Sequence, residues 1–179
     1  MEPIFVERAF YALAFRAEHD EGARRVIIGL TRAFFRAVVF EKRRGGTRLL
    51  DLARLGAKRF GQWRAPVLLA KLGLDTTDMA DMARLQDWED RVFGVTGHWT
   101  EKEASRATKC ETECPFAKIA EGAPELCTDV IHALETETFH ALNPTYRLVP
   151  LESLLSKGAR HCEFRHEIDG EPIAPSARS

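Results

Sequence analysis

The sequence predicts an α+β domain: a helical N-terminal half followed by a small antiparallel sheet with a crossing helix. Three observations predict it. Apolar residues recur at helical spacing through the first ~95 residues. The period shortens toward two after Gly97. A helical stretch then returns over 115–142, followed by two short alternating segments.

Each element has its own signature. In EGARRVIIGLTRAFFRAVVF, the residues Ile27, Leu30, Phe34, Ala37 and Val38 fall on one helical face, and the glycine pair in EKRRGG stops the helix. Leu49, Leu52 and Leu55 carry a weaker helix. Pro66 opens a short one, APVLLAKL, which Gly73 closes. DTTDMADMARLQDWEDRVFG starts with capping and acidic residues and stops at Gly94. Its stripe is Met79, Met82, Leu85, Val92 and Phe93 with Trp88 alongside, and its methionines read as core filler. HWTEKEASRATKC reads as a strand. LCTDVIHALETETFHAL reads as a helix with Pro124 near its start and Asn143–Pro144 as its breaker, turning Leu126, Val130, Leu134 and Leu142 inward. TYRLVPLESLL and HCEFRHEI read as a hairpin joined by SKGAR. A single domain over 1–168 is expected, helical to about 95 and α+β over about 96–168, with 169–179 as a flexible tail.

Composition bounds the function. The 179 residues are 45% hydrophobic and 30% charged, as in a globular chain with a real core. The apolar run AFFRAVVF is broken by Arg36 and falls short of a membrane span. The N-terminus carries acids where a signal peptide carries bases, so a cytoplasmic location, reduced thiols and no membrane partner are expected. Residues 1–74 hold 15 Lys+Arg against 7 Asp+Glu, and residues 75–179 hold 11 against 20. The basic residues at 24, 25, 32, 36, 42, 43, 44 and 48 read as spread around the helix faces without interleaved aromatics, which argues against nucleic acid. The apolar helix faces near Phe34, Phe35 and Phe40 favour a homo-oligomer.

The chemistry-bearing residues are the cysteines, all beyond position 109: Cys110, Cys114, Cys127 and Cys162. They are expected to converge at one end of the sheet. Soft thiolates suit zinc or an iron–sulfur cluster, although Cys-x3-Cys-x12-Cys-x34-Cys matches no named finger or ferredoxin spacing. Alternatively one thiol is a nucleophile. Cys127 near a helix start, and Cys114 before Pro115, would have their pKa lowered by the helix dipole. His98, His132, His161, His166 and Glu125 are candidate bases or acids. Along the last strand His166, not His161, shares the face of Cys162. In a third reading the thiols are buried apolar filler.

The succession CPFAK, GAPELC, NPTYRL and GARHCEFRHEI resembles the L-2-amino-thiazoline-4-carboxylic acid hydrolase-like family. The matching residues are Cys114, Pro115, Phe116 and Ala117, then Cys127, then Asn143 and Pro144, then Gly158, Cys162 and Phe164, over about residues 95–168. The resemblance implies hydrolysis of a cyclic amidine, with water adding to the C=N carbon of a thiazoline carboxylate. Cys110 departs from the pattern and favours a four-thiolate metal site. On this reading Cys114, Cys127, Cys162 and His166 are catalytic, while Arg147, Arg165 and His98 bind a small anionic substrate. The alternative is a zinc or iron–sulfur sensor or accessory protein using Cys110, Cys114, Cys127 and Cys162.

Overall fold

The computed structural model describes residues 5–150 and 153–169. The residues expected to form a flexible tail lie outside them, except Asp169. Four helices come first: α1 (Phe5–Ala17), α2 (Glu21–Arg43), α3 (Arg48–Leu72) and α4 (Met79–Phe93). A hairpin follows, β1 (Thr96–Lys102) and β2 (Arg106–Glu113). Next come the short α5 (Ala117–Ala120), a π-helical segment (Leu126–Ile131) running into α6 (His132–Leu142), then β3 (Arg147–Pro150) and β4 (Cys162–Glu167). The sheet is antiparallel in the order β1-β2-β4-β3. This is the expected α+β plan with a helical N-terminal half.

Local chemistry sets the helix ends. The Asp20 carboxylate accepts from the Ala23 amide at 3.1 Å, and Asp78 accepts from the Ala80 amide at 2.8 Å. Gly94 closes α4 in the left-handed region, φ 70°. The α4 stripe is buried throughout, Met79 and Met82 included, except for half-buried Phe93.

Three elements differ from expectation. The two helices divided at Pro66 are one, because α3 runs through it. An interior proline deletes one backbone hydrogen bond, and the long packing of α3 on α6 holds the helix together across the gap. The buried face of α3 is Leu50, Ala57, Gly61, Arg64, Ala65 and Leu68, whereas Leu52 and Leu55 are exposed. HWTEKEASRATKC is a hairpin, turning where the Glu103 amide donates to Arg106 O at 2.7 Å. That turn holds no Gly, Pro or Asn to announce it. The β3–β4 connection carries a 3-10 turn, Leu155–Lys157, in place of a tight loop.

Residues of both halves build the main core: Ile27, Leu68, Met82 and Trp88 meet Ala107, Phe139, Tyr146 and Ile168. The α3–α6 contact is close enough to require a glycine. A Cβ at Gly61 would lie 2.7 Å from Leu134 O and 2.9 Å from the Glu137 Cβ. One turn on, the buried Arg64 ties three helices, pairing with Glu89 on α4 and donating from Nε to Thr138 Oγ1 on α6 at 2.6 Å. No helix among the described residues is long and apolar enough to cross a membrane.

Candidate functional site: an apolar cavity with thiols and acids

A cavity of about 570 Å³ lies between α2, α4, the π segment and the sheet. Its walls are largely apolar, including Phe10, Phe34, Phe35, Phe93, Phe116 and Phe164. Leu30 and Phe34 are the exposed residues of its lining, so it opens beside α2. Cys114, Cys127 and Cys162 all line it.

Strand register explains which thiols reach the cavity. Glu111 pairs with Cys162 across β2 and β4, and Lys109 pairs with Phe164, so these side chains share one face. Cys110 pairs with Glu163 on the opposite face. The expected convergence of four thiols is therefore corrected to three. A residue one position along a strand points the other way.

Of the other predicted residues, His98, Arg147, Arg165 and His166 lie outside the cavity. His98 is exposed on β1 opposite Cys110. Arg147 is exposed and pairs with Asp169 at 2.8 Å, and Arg165 pairs with Glu167 at 3.1 Å. His166 shares the buried face of Cys162 but sits opposite Ala107, with its Nδ1 2.8 Å from the Tyr146 hydroxyl. Burial pushes its pKa down to about 3, which keeps it neutral. The histidine that lines the cavity is His132, edge-on to the Phe164 ring at 4.9 Å, with Nε2 unpartnered among the described residues. Burial pushes it down to about 4.

The thiols are not activated. Burial pushes Cys114 up to about 11, although the Phe116 and Ala117 amides offset part of this. Burial pushes Cys162 up to about 12, and the Leu155 amide donates to its Sγ at 3.3 Å. Cys127 is also raised by burial, with the Ser156 hydroxyl opposing. The expected lowering by a helix N-terminus does not occur. Cys127 sits within a π-helical run, and desolvation outweighs the dipole there. π segments often mark functional sites.

The sequence did not point to the acids. Glu111 and Glu135 line the cavity fully buried, with the Gln86 amide nitrogen 3.5 Å from one and 3.4 Å from the other. Burial pushes Glu111 up to about 7 and raises Glu135 well above the ordinary carboxylate range. Asp90, also in the lining, is pushed up to about 6 by burial, although Lys109 stands 2.8 Å away. A period-two reading of RATKCETE places Glu111 on the face opposite Cys110, but only the register shows which face is inward.

The donor set does not fit a metal. No group of three or more His, Cys, Asp or Glu side chains among the described residues is placed to hold an ion. Cys110 faces away from the other thiols.

Fold and site together define an α+β domain built around an internal apolar cavity. No protein-family model matches the chain, and no curated protein does. Among solved structures it is similar to a trafficking protein particle complex subunit 3 from Naegleria fowleri, covalently bound to palmitic acid. The identity is 11%, the match covers 83% of this chain and 98% of that one, and the TM-score is 0.56. The likeness is one of fold.

Proposed function

We propose that this chain is a binding protein for an apolar small molecule of acyl-chain type, held in the cavity between α2 and the sheet. One observation carries the reading: the cavity is walled largely by aromatic and aliphatic side chains, and burial raises the carboxyls of Glu111 and Glu135 and lowers the His132 imidazole, so that each is biased toward its uncharged form. Its size falls within the range of small-ligand sites. A ligand tail would lie against Phe35, Phe93 and Phe116, with an uncharged head near Glu111, Glu135 and His132. The palmitic acid held by the structural neighbour is the same class of molecule.

The test is titration of the purified chain with dodecanol and dodecanoic acid, followed by calorimetry. Saturable one-to-one binding is expected, tighter for the alcohol because the cavity lining holds no arginine or lysine. Filling the cavity with Val130→Trp should abolish it. Binding of neither compound, or binding unchanged in Val130→Trp, defeats the reading.

Glu111 favours a second reading, hydrolysis of a small cyclic amidine. A carboxyl with its pKa near 7, directly across the strands from Cys162, suits a general base. Glu111 would take the Cys162 proton as sulfur adds to the amidine carbon and pass it to the ring nitrogen as the C=N π bond opens. Water would then add to that carbon, expelling the Cys162 sulfur, and cleavage of a ring bond to that carbon would open the ring. Against this, an anionic carboxylate finds no cation in the cavity, since Arg147 and Arg165 lie elsewhere. Ring opening of a 2-aminothiazoline carboxylate, followed by chromatography and lost in Glu111→Gln, would establish hydrolysis over binding. Alkylation at pH 7.5 separates the two early: neutral thiols react ~100-fold more slowly than free cysteine.

A further inference from the structure

α2 presents a surface that the cavity reading does not use. Residues along a helix turn by about 100° each. On that basis Val26, Gly29, Leu30, Ala33, Phe34, Ala37 and Phe40 occupy one arc of about 140°, and all seven are exposed. Arg25, Arg32, Arg36 and Arg43 occupy the adjoining arc of about 40°, and all four are exposed as well. They form a ridge beside the apolar stripe rather than a spread around the helix. The two acids of α2 do not cancel it. Glu21 neutralises Arg25 only loosely, at 3.4 Å, and the Glu41 carboxylate accepts from the Leu49 amide. At its C-terminal end the ridge continues into an open groove of about 580 Å³, whose lining includes Arg36, Phe40, Arg43 and an ion pair of Lys118 with Glu121 at 2.8 Å.

We infer that this face of α2 docks on an anionic lipid surface, placing the cavity mouth against the acyl chains. Four considerations select this occupant. An apolar stripe flanked by arginines on one exposed helix matches an interfacial helix, whose apolar side enters the headgroup boundary while its cations meet lipid phosphates. A duplex nucleic acid would use the arginines and leave Val26, Leu30 and Phe40 against water. A second copy packed with the two α2 helices antiparallel about a two-fold axis brings ridge beside ridge, so four arginines meet four. Leu30 and Phe34 belong both to the stripe and to the cavity lining, so surface and site are continuous. The peripheral docking rests on the acyl-ligand reading only for its purpose. No expectation from the sequence placed this chain at a membrane.

The test is cosedimentation of the full chain with vesicles of phosphatidylcholine alone and of equimolar phosphatidylcholine and phosphatidylglycerol. Binding to the anionic vesicles only, weakened by salt, is expected. Each of Arg25→Gln, Arg36→Gln and Arg43→Gln should weaken it about fivefold. Phe40→Ser, outside the cavity lining, should also weaken it. No pelleting with anionic vesicles overturns the inference. So does arginine dependence without any effect of Phe40→Ser together with competition by duplex DNA, which would mean nucleic acid. So does a dimer in light scattering that Ala33→Glu dissociates, which would mean a second copy. Dodecanol binding without vesicles reads the cavity alone, so either claim can fail without the other.

Discussion

Glu111 is the residue whose chemistry burial changes most usefully. Folding raises its carboxyl from 4.5 to about 7, so the folded chain holds a proton that the unfolded chain releases. The associated stabilisation is complete below about pH 4.5 and is lost as pH rises through about 7. Its size is about 3 kcal/mol, at 1.36 kcal/mol per unit. Glu111→Gln keeps the shape and cannot titrate. Its melting temperature should therefore fall less than that of the parent between pH 5 and 8, and at pH 8 the variant should be the more stable. Asp90 and Glu135 act with the same sign and remain in both proteins. Parallel melting curves across this range would remove Glu111 from the account. The thiols follow the same physics. Burial keeps Cys114 and Cys162 protonated, so each acts in the cavity wall as a small apolar group with a weak S–H donor.

At the scale of elements, α3 is where the fold is least tolerant. Gly61 lets α6 approach until no Cβ fits, and Arg64 lies buried one turn away. Gly61→Ala should cost about 1–3 kcal/mol by overpacking against Leu134 O, read as a shift in denaturant midpoint at constant slope. That it gains helix propensity makes the sign informative. Glu89→Gln leaves the Arg64 charge buried without its counter-ion and should cost about 3–5 kcal/mol. Arg64→Met with Glu89→Leu removes both charges and should recover much of that loss in chemical denaturation. Equal losses in the single and double variants would show that the unpaired Arg64 charge is not the source of the cost.

For the whole molecule, ligand binding in the apolar cavity couples occupancy to stability. A ligand that binds only the folded state stabilises it by about 2.7 kcal/mol at a hundredfold excess over Kd. Dodecanol should therefore raise the melting temperature of the parent and leave Val130→Trp unmoved, as measured by scanning calorimetry. The same cavity shows why an α+β chain of this size combines a closed core with an accessible interior. Ile27, Met82, Trp88 and Phe139 fill the region under the sheet, and the space bounded by α2, the π segment and β4 is walled but not filled.

The sequence alone determined the class of fold, the ends of α2 and α4, the buried stripe of α4 and the alternation of β4. These depend on spacing, capping groups and glycine, which act within a few residues of chain. The arginine ridge of α2 runs against the sequence reading, which spreads the basic residues around the helix; indexing at about 100° per residue gathers positions 25, 32, 36 and 43 on one arc, and folding leaves that arc exposed. Tertiary structure decided the rest. Whether Cys110 or Glu111 faces inward depends on the pairing of β2 with β4, across some fifty residues of chain. Whether Pro66 breaks a helix depends on the packing of α6 against α3. Whether a thiol is raised or lowered depends on how much water its neighbours exclude, a property of the assembled cavity that no local pattern records.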